Sequence, residues 1–253
     1  MDREAIEEQY RSSANLAARI ALHRECSTNP YGLQRWIFDR LALAPEQRVL
    51  EIACGTGSLW SENGNRIPSG LRLIVSDISP GMVDTTRRAM PCPAAYAACA
   101  LPDLPFSDGV FDLVVADHML YHVAERQRGL REIRRVLRHG GTLFAATNGR
   151  DHLREIKVLM SDFGIEGGDV SASFTLENGE EQLRQVFGEV RRDDYPDALR
   201  VTDPELLLRY IASISPKVEA RREEMRAAVA ARIAADGAFH VGKSTGAFTV
   251  AKA

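Results

Sequence analysis

The stretch Val49-Leu-Glu-Ile-Ala-Cys-Gly-Thr-Gly57, together with Asp77 at the end of the next apolar run, decides the architecture of this chain. Residues with strand character feed a turn of small residues. There the missing side chains let backbone N–H groups approach a ligand, and a helix is expected from Ser58. Leu71–Ser76 reads as a second buried parallel strand that carries the Asp77 carboxylate to the same carboxyl-terminal edge. Ligands of open α/β sheets bind at that edge, and an acid about 20 residues past the glycine turn accepts hydrogen bonds from ribose hydroxyls. The expected ligand therefore contains a nucleoside.

Trp60 narrows the choice of nucleoside. The dinucleotide fingerprint G-x-G-x-x-G needs a third small residue where this chain, after Gly55 and Gly57, has tryptophan. An indole at that place stands between helix and strand, and no pyrophosphate-cradling spacing survives. NAD and FAD do not fit this turn.

Taken together, these residues resemble the class I S-adenosylmethionine (SAM) dependent methyltransferases, whose first motif is an acid, small residues and G-x-G at the end of strand one. The resemblance extends through Asp77-Ile-Ser-Pro-Gly-Met82, Leu104-Pro-Phe106, Phe111-Asp-Leu-Val-Val115, His118-Met-Leu-Tyr-His-Val123 and Arg135-Val-Leu-Arg-His-Gly-Gly141. It covers residues 45–148, in family order and spacing, and is similar to the branch with quinone-biosynthesis and other small-molecule enzymes. The fold it implies is α/β and Rossmann-like: a doubly wound, mostly parallel seven-stranded sheet with an antiparallel terminal strand. One methyltransferase domain would span 1–253, with an N-terminal helical lid at 1–44, the SAM-binding core at 45–148, and substrate-lid helices and closing strands at 149–253.

Bulk properties agree with a soluble enzyme of modest size. Two hundred and fifty-three residues suffice for one well-buried α/β domain with an accessory layer. Thirty-two Lys and Arg against 35 Asp and Glu give no general attraction to nucleic acid. The densest basic patch, Arg126–His139, carries six arginines, but Leu130, Ile133, Val136 and Leu137 mark it as a solvated amphipathic helix. Cys26, Cys54, Cys92 and Cys99 show neither zinc spacing nor a disulfide framework, which fits free thiols in a reducing, cytoplasmic setting. The polar start and the lack of a long apolar run give no membrane segment.

Outside the motifs, Ile6–Arg24 and Gly32–Leu41 read as helices separated by Ser27-Thr-Asn-Pro30. Strand one is placed at Arg48–Ala53 and strand two at Leu71–Ser76, then a helix capped by Ser79-Pro80 that stops before Pro91. Further strands are expected near Ala95–Ala98, at Val110–Ala116 and at Thr142–Thr147, with a helix from Glu125 to Arg138 ending at Gly140-Gly141. After Asn148 come a helix at His152–Phe163, a loose Glu166-Gly-Gly168 and a helix through Leu183–Phe187. A mixed strand at Val190–Val201, broken by Pro196, precedes a helix capped by Asp203-Pro204 and another at Lys217–Ala235. Phe239–Val241 and Gly246–Ala251 read as final strands, with Ser244-Thr245-Gly246 as the turn and Ala247–Ala251 as the antiparallel one.

The resemblance places Glu51, Ala53, Gly55 and Gly57 around the methionine part of SAM, Asp77 on its ribose, and Ile78 and Met82 beside adenine. The family acid that meets the adenine amino group is replaced by Ala100, which leaves a backbone contact at Leu101. Ala53 stands where the family has glycine, and His139 where it has proline. Methyl transfer needs mainly positioning in a dry pocket, so a base is optional. His118, Tyr121 and His122 follow strand four at the reacting edge and are the candidates for proton removal; their plainer role is packing. Asp117 and His118 count as pocket-wall or cofactor contacts. Arg19 can pair with the methionine carboxylate, although a charged helix face is the plainer reading. His152 and Glu155 resemble half a metal site, but no second ligand pair appears, so no metal is expected.

The function implied is transfer of a methyl group from SAM to an O, N or C nucleophile of a small-molecule metabolite. The alternatives are a methyltransferase acting on RNA or protein and a SAM-binding module without catalysis. Neither a nucleic-acid nor a membrane partner is expected, and the oligomeric state is open.

Overall fold

The computed structural model describes residues 13–165 and 170–253. Helix α1 (Ser13–Cys26) and helix α2 (Leu33–Arg40) precede the first strand, β1 (Arg48–Ile52). The turn after β1 leads into a single helical turn, α3 (Ser58–Ser61), so the helix expected from Ser58 is short. Strand β2 (Arg72–Asp77), helix α4 (Pro80–Ala89), strand β3 (Ala95–Ala98) and strand β4 (Phe111–Asp117) follow in the expected rhythm. Helix α4 starts as its sequence requires: Pro80 occupies the first turn and the Ser79 hydroxyl accepts from the Met82 N–H.

One boundary differs from expectation. Helix α5 (Arg126–Val136) gives way at once to a long strand β5 (Leu137–Asn148), so Gly140-Gly141 lies within the strand and does not end the helix. The Gly140 N–H donates to the Lys252 carbonyl and the Lys252 N–H to the Gly141 carbonyl, which extends sheet pairing through the glycines. Leu137 meanwhile pairs with Phe111, and the ladder shifts register between Phe111 and Leu113.

The main sheet has seven strands in the order β3-β2-β1-β4-β5-β9-β6, where β6 is Val190–Tyr195 and β9 is Thr245–Ala251. Its first five strands are parallel, and β9 runs antiparallel between β5 and β6. The order reverses at β1 and β4, the switch point where ligands of such sheets bind. Register makes that point specific. Ile52 lies opposite Ser76 on one side and Ala116 on the other, so the next residues, Ala53, Asp77 and Asp117, leave the sheet side by side.

The strands are as apolar as burial on both faces demands: Val49, Leu50, Val75, Val114 and Val115 are wholly inaccessible. Helix α5 lays Leu130, Ile133 and Val136 on one face, and the short helix α7 (Gly179–Phe187) adds Leu183 to the same core.

The carboxyl-terminal third departs from a single closed sheet. Pro196 does split the run at Val190–Val201, and the two halves go to different sheets: β6 joins the main one, while β7 (Ala198–Val201) pairs with β8 (Phe239–Gly242). The turn before β9 is Lys243-Ser244, because Thr245 and Gly246 already pair with Asn148 and Thr147. Helix α6 (Arg154–Asp162), helix α8 (Pro204–Ala212) and helix α9 (Arg222–Asp236) surround the small sheet, with a 3-10 turn at Pro216–Arg221 leading into α9.

These pieces share a second apolar core with α1. Leu22 of α1, Leu207 and Ile211 of α8, Met225 and Val229 of α9 and Val241 of β8 are fully or almost fully buried together. Both flanks of the chain therefore build one cap over the carboxyl edge of the sheet. The expected Glu166-Gly-Gly168 segment lies outside the described residues, as does the start of the first expected helix. Among the described residues no helix is long and apolar enough to cross a membrane.

Leu207 is inaccessible in the cap core. Leu207→Ala should lower unfolding free energy by about 2–5 kcal/mol, the range for a buried leucine truncation, as measured by urea denaturation.

Candidate functional site

The turn after β1 is held by hydrogen bonds that its own small residues make possible. The Gly55 N–H donates to Asp77 Oδ2 at 3.0 Å, and the Ser79 N–H donates to Asp77 Oδ1 at 2.9 Å. One carboxylate thus ties the end of β2 to the turn of β1. From α4, the Thr86 hydroxyl donates to the Gly55 carbonyl at 2.8 Å. Gly57 has φ 75°, and a Cβ there would lie 2.9 Å from Thr86 Cγ2. Gly55 has φ 55° and a Cβ there would meet no heavy atom within 4 Å, because it borders a cavity. Ala53 holds φ 59° with a side chain, a left-handed conformation that non-glycine residues keep only where their surroundings impose it.

Trp60 does what the third glycine of a dinucleotide site could not. Its indole is fully buried and its Nε1–H donates to Glu51 Oε2 at 2.7 Å. Glu51 is itself buried, and burial, with Asp117 and Asp77 nearby, pushes its carboxyl up to about 8 despite the indole bond. Burial also raises the Asp77 carboxyl, against the lowering effect of its backbone bonds.

These groups wall a cavity of about 700 Å³ between the sheet edge, α4 and the segment after β3. Of the residues expected at a cofactor, Glu51, Ala53, Gly55, Asp77, Ile78, Met82, Ala100, Leu101 and Asp117 line it. Gly57 does not; it serves the turn. Asp103, outside the expected adenine position, also borders the cavity, and its carboxylate pairs with Arg128 at 2.6 Å.

Beside it lies a larger cavity of about 1380 Å³, roofed by α1, the α2 approach and the cap. Ile20, Gln34, Ser58 and His118 line both spaces and mark where they meet. His118 adopts φ 51°, anchored by its N–H donating to the Ala146 carbonyl at 3.1 Å. Burial lowers its imidazole below the ordinary range. His118 Nε2 and Asp117 Oδ1 are both buried without a hydrogen-bond partner among the described residues, and they lie 3.9 Å apart. Gln34 Nε2 donates to the other Asp117 oxygen at 3.4 Å.

The remaining expected site residues divide between the cavities. His122 faces the first, with its imidazole lowered to about 4, chiefly by burial. Tyr121 faces the second. Arg19 also belongs to the second cavity and not the first: its Nη2 donates to the Ser213 carbonyl at 2.8 Å and its Nε to the Ser213 hydroxyl at 3.2 Å. That places it on α8 of the cap, away from the turn where a methionine carboxylate was expected.

Sequence reasoning missed most of the second cavity's polar wall. His23 and His152 stack with ring centroids 6.1 Å apart, and Tyr195 and the Lys243–Asp197 ion pair complete the wall. The pairing of His152 with Glu155 does not occur. His152 precedes α6, and Glu155 Oε2 instead accepts from the Gly242 N–H at 2.9 Å. Among the described residues no cluster of three or more His, Cys, Asp or Glu side chains could hold a metal ion.

With this geometry in view, comparison with known proteins is informative. Residues 50–145 match the family model described as a methyltransferase domain. The match lies within the sheet core, from β1 to β5. A demethylmenaquinone methyltransferase of Beutenbergia cavernae is 36% identical over 113 residues, 45% of this chain and 45% of that protein. The chain thus spans under half the length of that relative. A putative methyltransferase from Bacillus halodurans matches in structure with a TM-score of 0.59 at 14% identity, over 87% of this chain and 98% of that one. Phosphoethanolamine N-methyltransferase 2 of Haemonchus contortus, solved with SAM, gives a TM-score of 0.59 at 18% identity, over 99% of this chain and 59% of that one. Those structural likenesses concern the fold.

The turn after β1 and the buried Glu51 carboxyl generate two predictions. Gly57→Ala should cost about 1–2 kcal/mol from its left-handed backbone alone, and adding Thr86→Ser should restore part of any further loss, both read by urea denaturation. For Glu51, the folded protein keeps a proton between the free-carboxyl value of 4.5 and about 8, so stability falls as pH rises through that window. Glu51→Gln should abolish this decline, with the wild type losing melting temperature between about pH 5 and pH 8 relative to the variant in a thermal scan.

Proposed function

We propose that this chain transfers the methyl group of SAM to a small molecule seated in the larger cavity. The observation that carries the reading is the junction of the two spaces at Ile20, Gln34, Ser58 and His118, directly above the in-register ends of β1 and β4. The residues present suit the cofactor. Each Asp77 oxygen spends one lone pair on a backbone N–H and retains another for a ribose hydroxyl. The carboxyls of Glu51 and Asp117 offer acceptors to an ammonium, and Gly55 leaves open space where a side chain would intrude. Ile78 and Met82 supply apolar contact for a base, with the Leu101 backbone close by. When bound, SAM supplies an electrophilic methyl group for in-line displacement.

The protein's own part is to position and to exclude water. Polar atoms at the junction are fixed by packing, so a nucleophile can be held near the methyl carbon without further reorganisation. The segments flanking the core, up to residue 44 and from 149 onward, act in this reading as a lid over one catalytic unit. Both cavities are concave and partly apolar, the kind of site that takes small ligands. This favours a metabolite over RNA, protein or a purely SAM-sensing role.

The name of the sequence relative, a demethylmenaquinone methyltransferase, points to a quinone-type acceptor. The matched residues, 50–145, wall the cofactor cavity, whereas most of the acceptor cavity comes from outside them, including His23, His152, Tyr195 and Lys243. Acceptor identity is therefore set by this chain's own cap. A reducing, cytoplasmic setting is in keeping with four cysteines that are all free thiols.

Isothermal calorimetry should detect SAM binding by the wild type, and Asp77→Ala should weaken it at least tenfold, about 1.4 kcal/mol. Failure of the wild-type protein to bind SAM would overturn the assignment.

A further inference from the structure

The hydrogen bonds of His152 fix its tautomer. Its Nδ1 lies 3.0 Å from the Ser244 carbonyl oxygen, which can only accept, so Nδ1 carries the hydrogen. The second neighbour agrees. Thr245 Oγ1, 3.2 Å from Nδ1, spends its own hydrogen on Asn148 Oδ1 at 2.9 Å and so accepts from the ring as well. In a neutral imidazole this leaves Nε2 as an unprotonated lone pair. A ring held through Nδ1–H by an acceptor, with Nε2 left as base, is the arrangement that general-base histidines use.

The ring is also kept neutral. Burial lowers the His152 imidazole well below its ordinary value, and the charged or titratable groups facing it act mostly in the same direction: His23 from α1, His118 from the end of β4 and Lys243 from the β8–β9 turn. His23, stacked on it, is lowered to about 4, chiefly by burial, with Lys243 and His118 adding to the effect and Asp197 opposing it. Tyr210 closes the far side of His23 edge-on, 6.0 Å between centroids. Lys243 cannot act as a free cation here, because it is paired with the buried Asp197 carboxylate.

Its position is suitable. His152 lines the acceptor cavity together with His118, and Asn148, to which it is linked through Thr245, lies two residues beyond Ala146 on β5. Ala146 is the residue that pairs with Asp117 and accepts the His118 N–H, so the bonded chain runs back to the junction.

We propose that His152 Nε2 is the proton acceptor of the reaction and that the methyl acceptor is a molecule whose nucleophile is a hydroxyl or amino group. The inference deepens the methyltransferase reading and rests on it. The O–H or N–H bond breaks toward Nε2, and the oxygen or nitrogen lone pair forms the new bond to the methyl carbon. The electrons of the old carbon–sulphur bond stay on sulphur, leaving a neutral thioether. The product proton resides on the His152 imidazolium and passes to solvent on release, so no other reactant is required.

The experiment has an arm that needs no acceptor. Nitrogen-15 NMR of the full chain labelled at histidine should show His152 neutral at pH 7, with Nδ1 protonated and Nε2 bare. An Nε2–H tautomer, or an imidazolium at that pH, overturns the proposal. The second arm uses His152→Asn, whose amide can still donate to the Ser244 carbonyl but has no group in place of Nε2. With a panel of phenols, catechols and primary amines, product mass should show methylation by the wild type. The variant should lose about 100-fold or more in kcat, while SAM affinity by calorimetry and the melting temperature stay near wild type. Activity should recover as pH rises. A variant with wild-type kcat, or no turnover of any panel member by SAM-loaded wild type, overturns the proposal. Absence of SAM binding with the expected tautomer present would instead remove the methyltransferase reading beneath it.

Discussion

Parallel pairing of β2, β1 and β4 in one register is the constraint on which the rest of the molecule depends. Because Ile52 stands level with Ser76 and Ala116, three chains reach the sheet edge at the same height and deliver Ala53, Asp77 and Asp117 together. A one-residue slip in either ladder would turn the next residue to the opposite face and withdraw its carboxylate from the edge. Fully buried aliphatic side chains on both faces hold the register, and the Asp77 carboxylate locks β2 to β1 by bonding backbone N–H groups after each of the two strands. Structure and ligand site are here a single set of bonds.

That arrangement concentrates acid in an apolar edge. Glu51, Asp77 and Asp117 converge on one cavity, and the raised carboxyl of Glu51 shows the cost of keeping it there. Burial of a charge is relieved by neutralisation or by a partner of opposite sign. Trp60 gives one neutral hydrogen bond, which lowers the Glu51 carboxyl less than burial raises it. The same indole occupies the helix–strand contact where a dinucleotide site has its third glycine. A single residue thus departs from the dinucleotide pattern and bonds an acid that lines the cavity.

The core was legible in the sequence because its determinants are local. Strand-turn-acid spacing gave the edge, Ser79-Pro80 gave the start of α4, and the apolar run at Phe111–Asp117 gave the central strand. Misreadings arose where tertiary contact overrides local signal. Gly140-Gly141 has the composition of a helix end, yet the Lys252 backbone draws it into β5. Pro196 marks a break correctly, but nothing near it tells that β7 will leave the sheet and pair with β8, about 40 residues on, as Val201 does with Phe239. Arg19 has the right charge for a carboxylate, and only the packing of α1 on α8 shows that Ser213 takes it.

The larger cavity was legible least, and the reason is topological. His23 comes from the first helix, His118 from the end of β4, His152 from the approach to α6, Tyr195 from the end of β6 and Lys243 from the last turn. No motif spans such separations, and each histidine viewed alone is an ordinary polar residue. Assembly changes their chemistry. Brought together under a cap with its own apolar core, the His23 and His152 imidazoles are pushed below their ordinary value, chiefly by burial, while the buried Lys243 ammonium is matched by the buried Asp197 carboxylate. The residues that build this wall lie apart from the hydrogen bonds that hold the turn after β1. In the proposed reaction it is therefore the cap, and not the sheet core, that decides which nucleophile can enter and lose its proton.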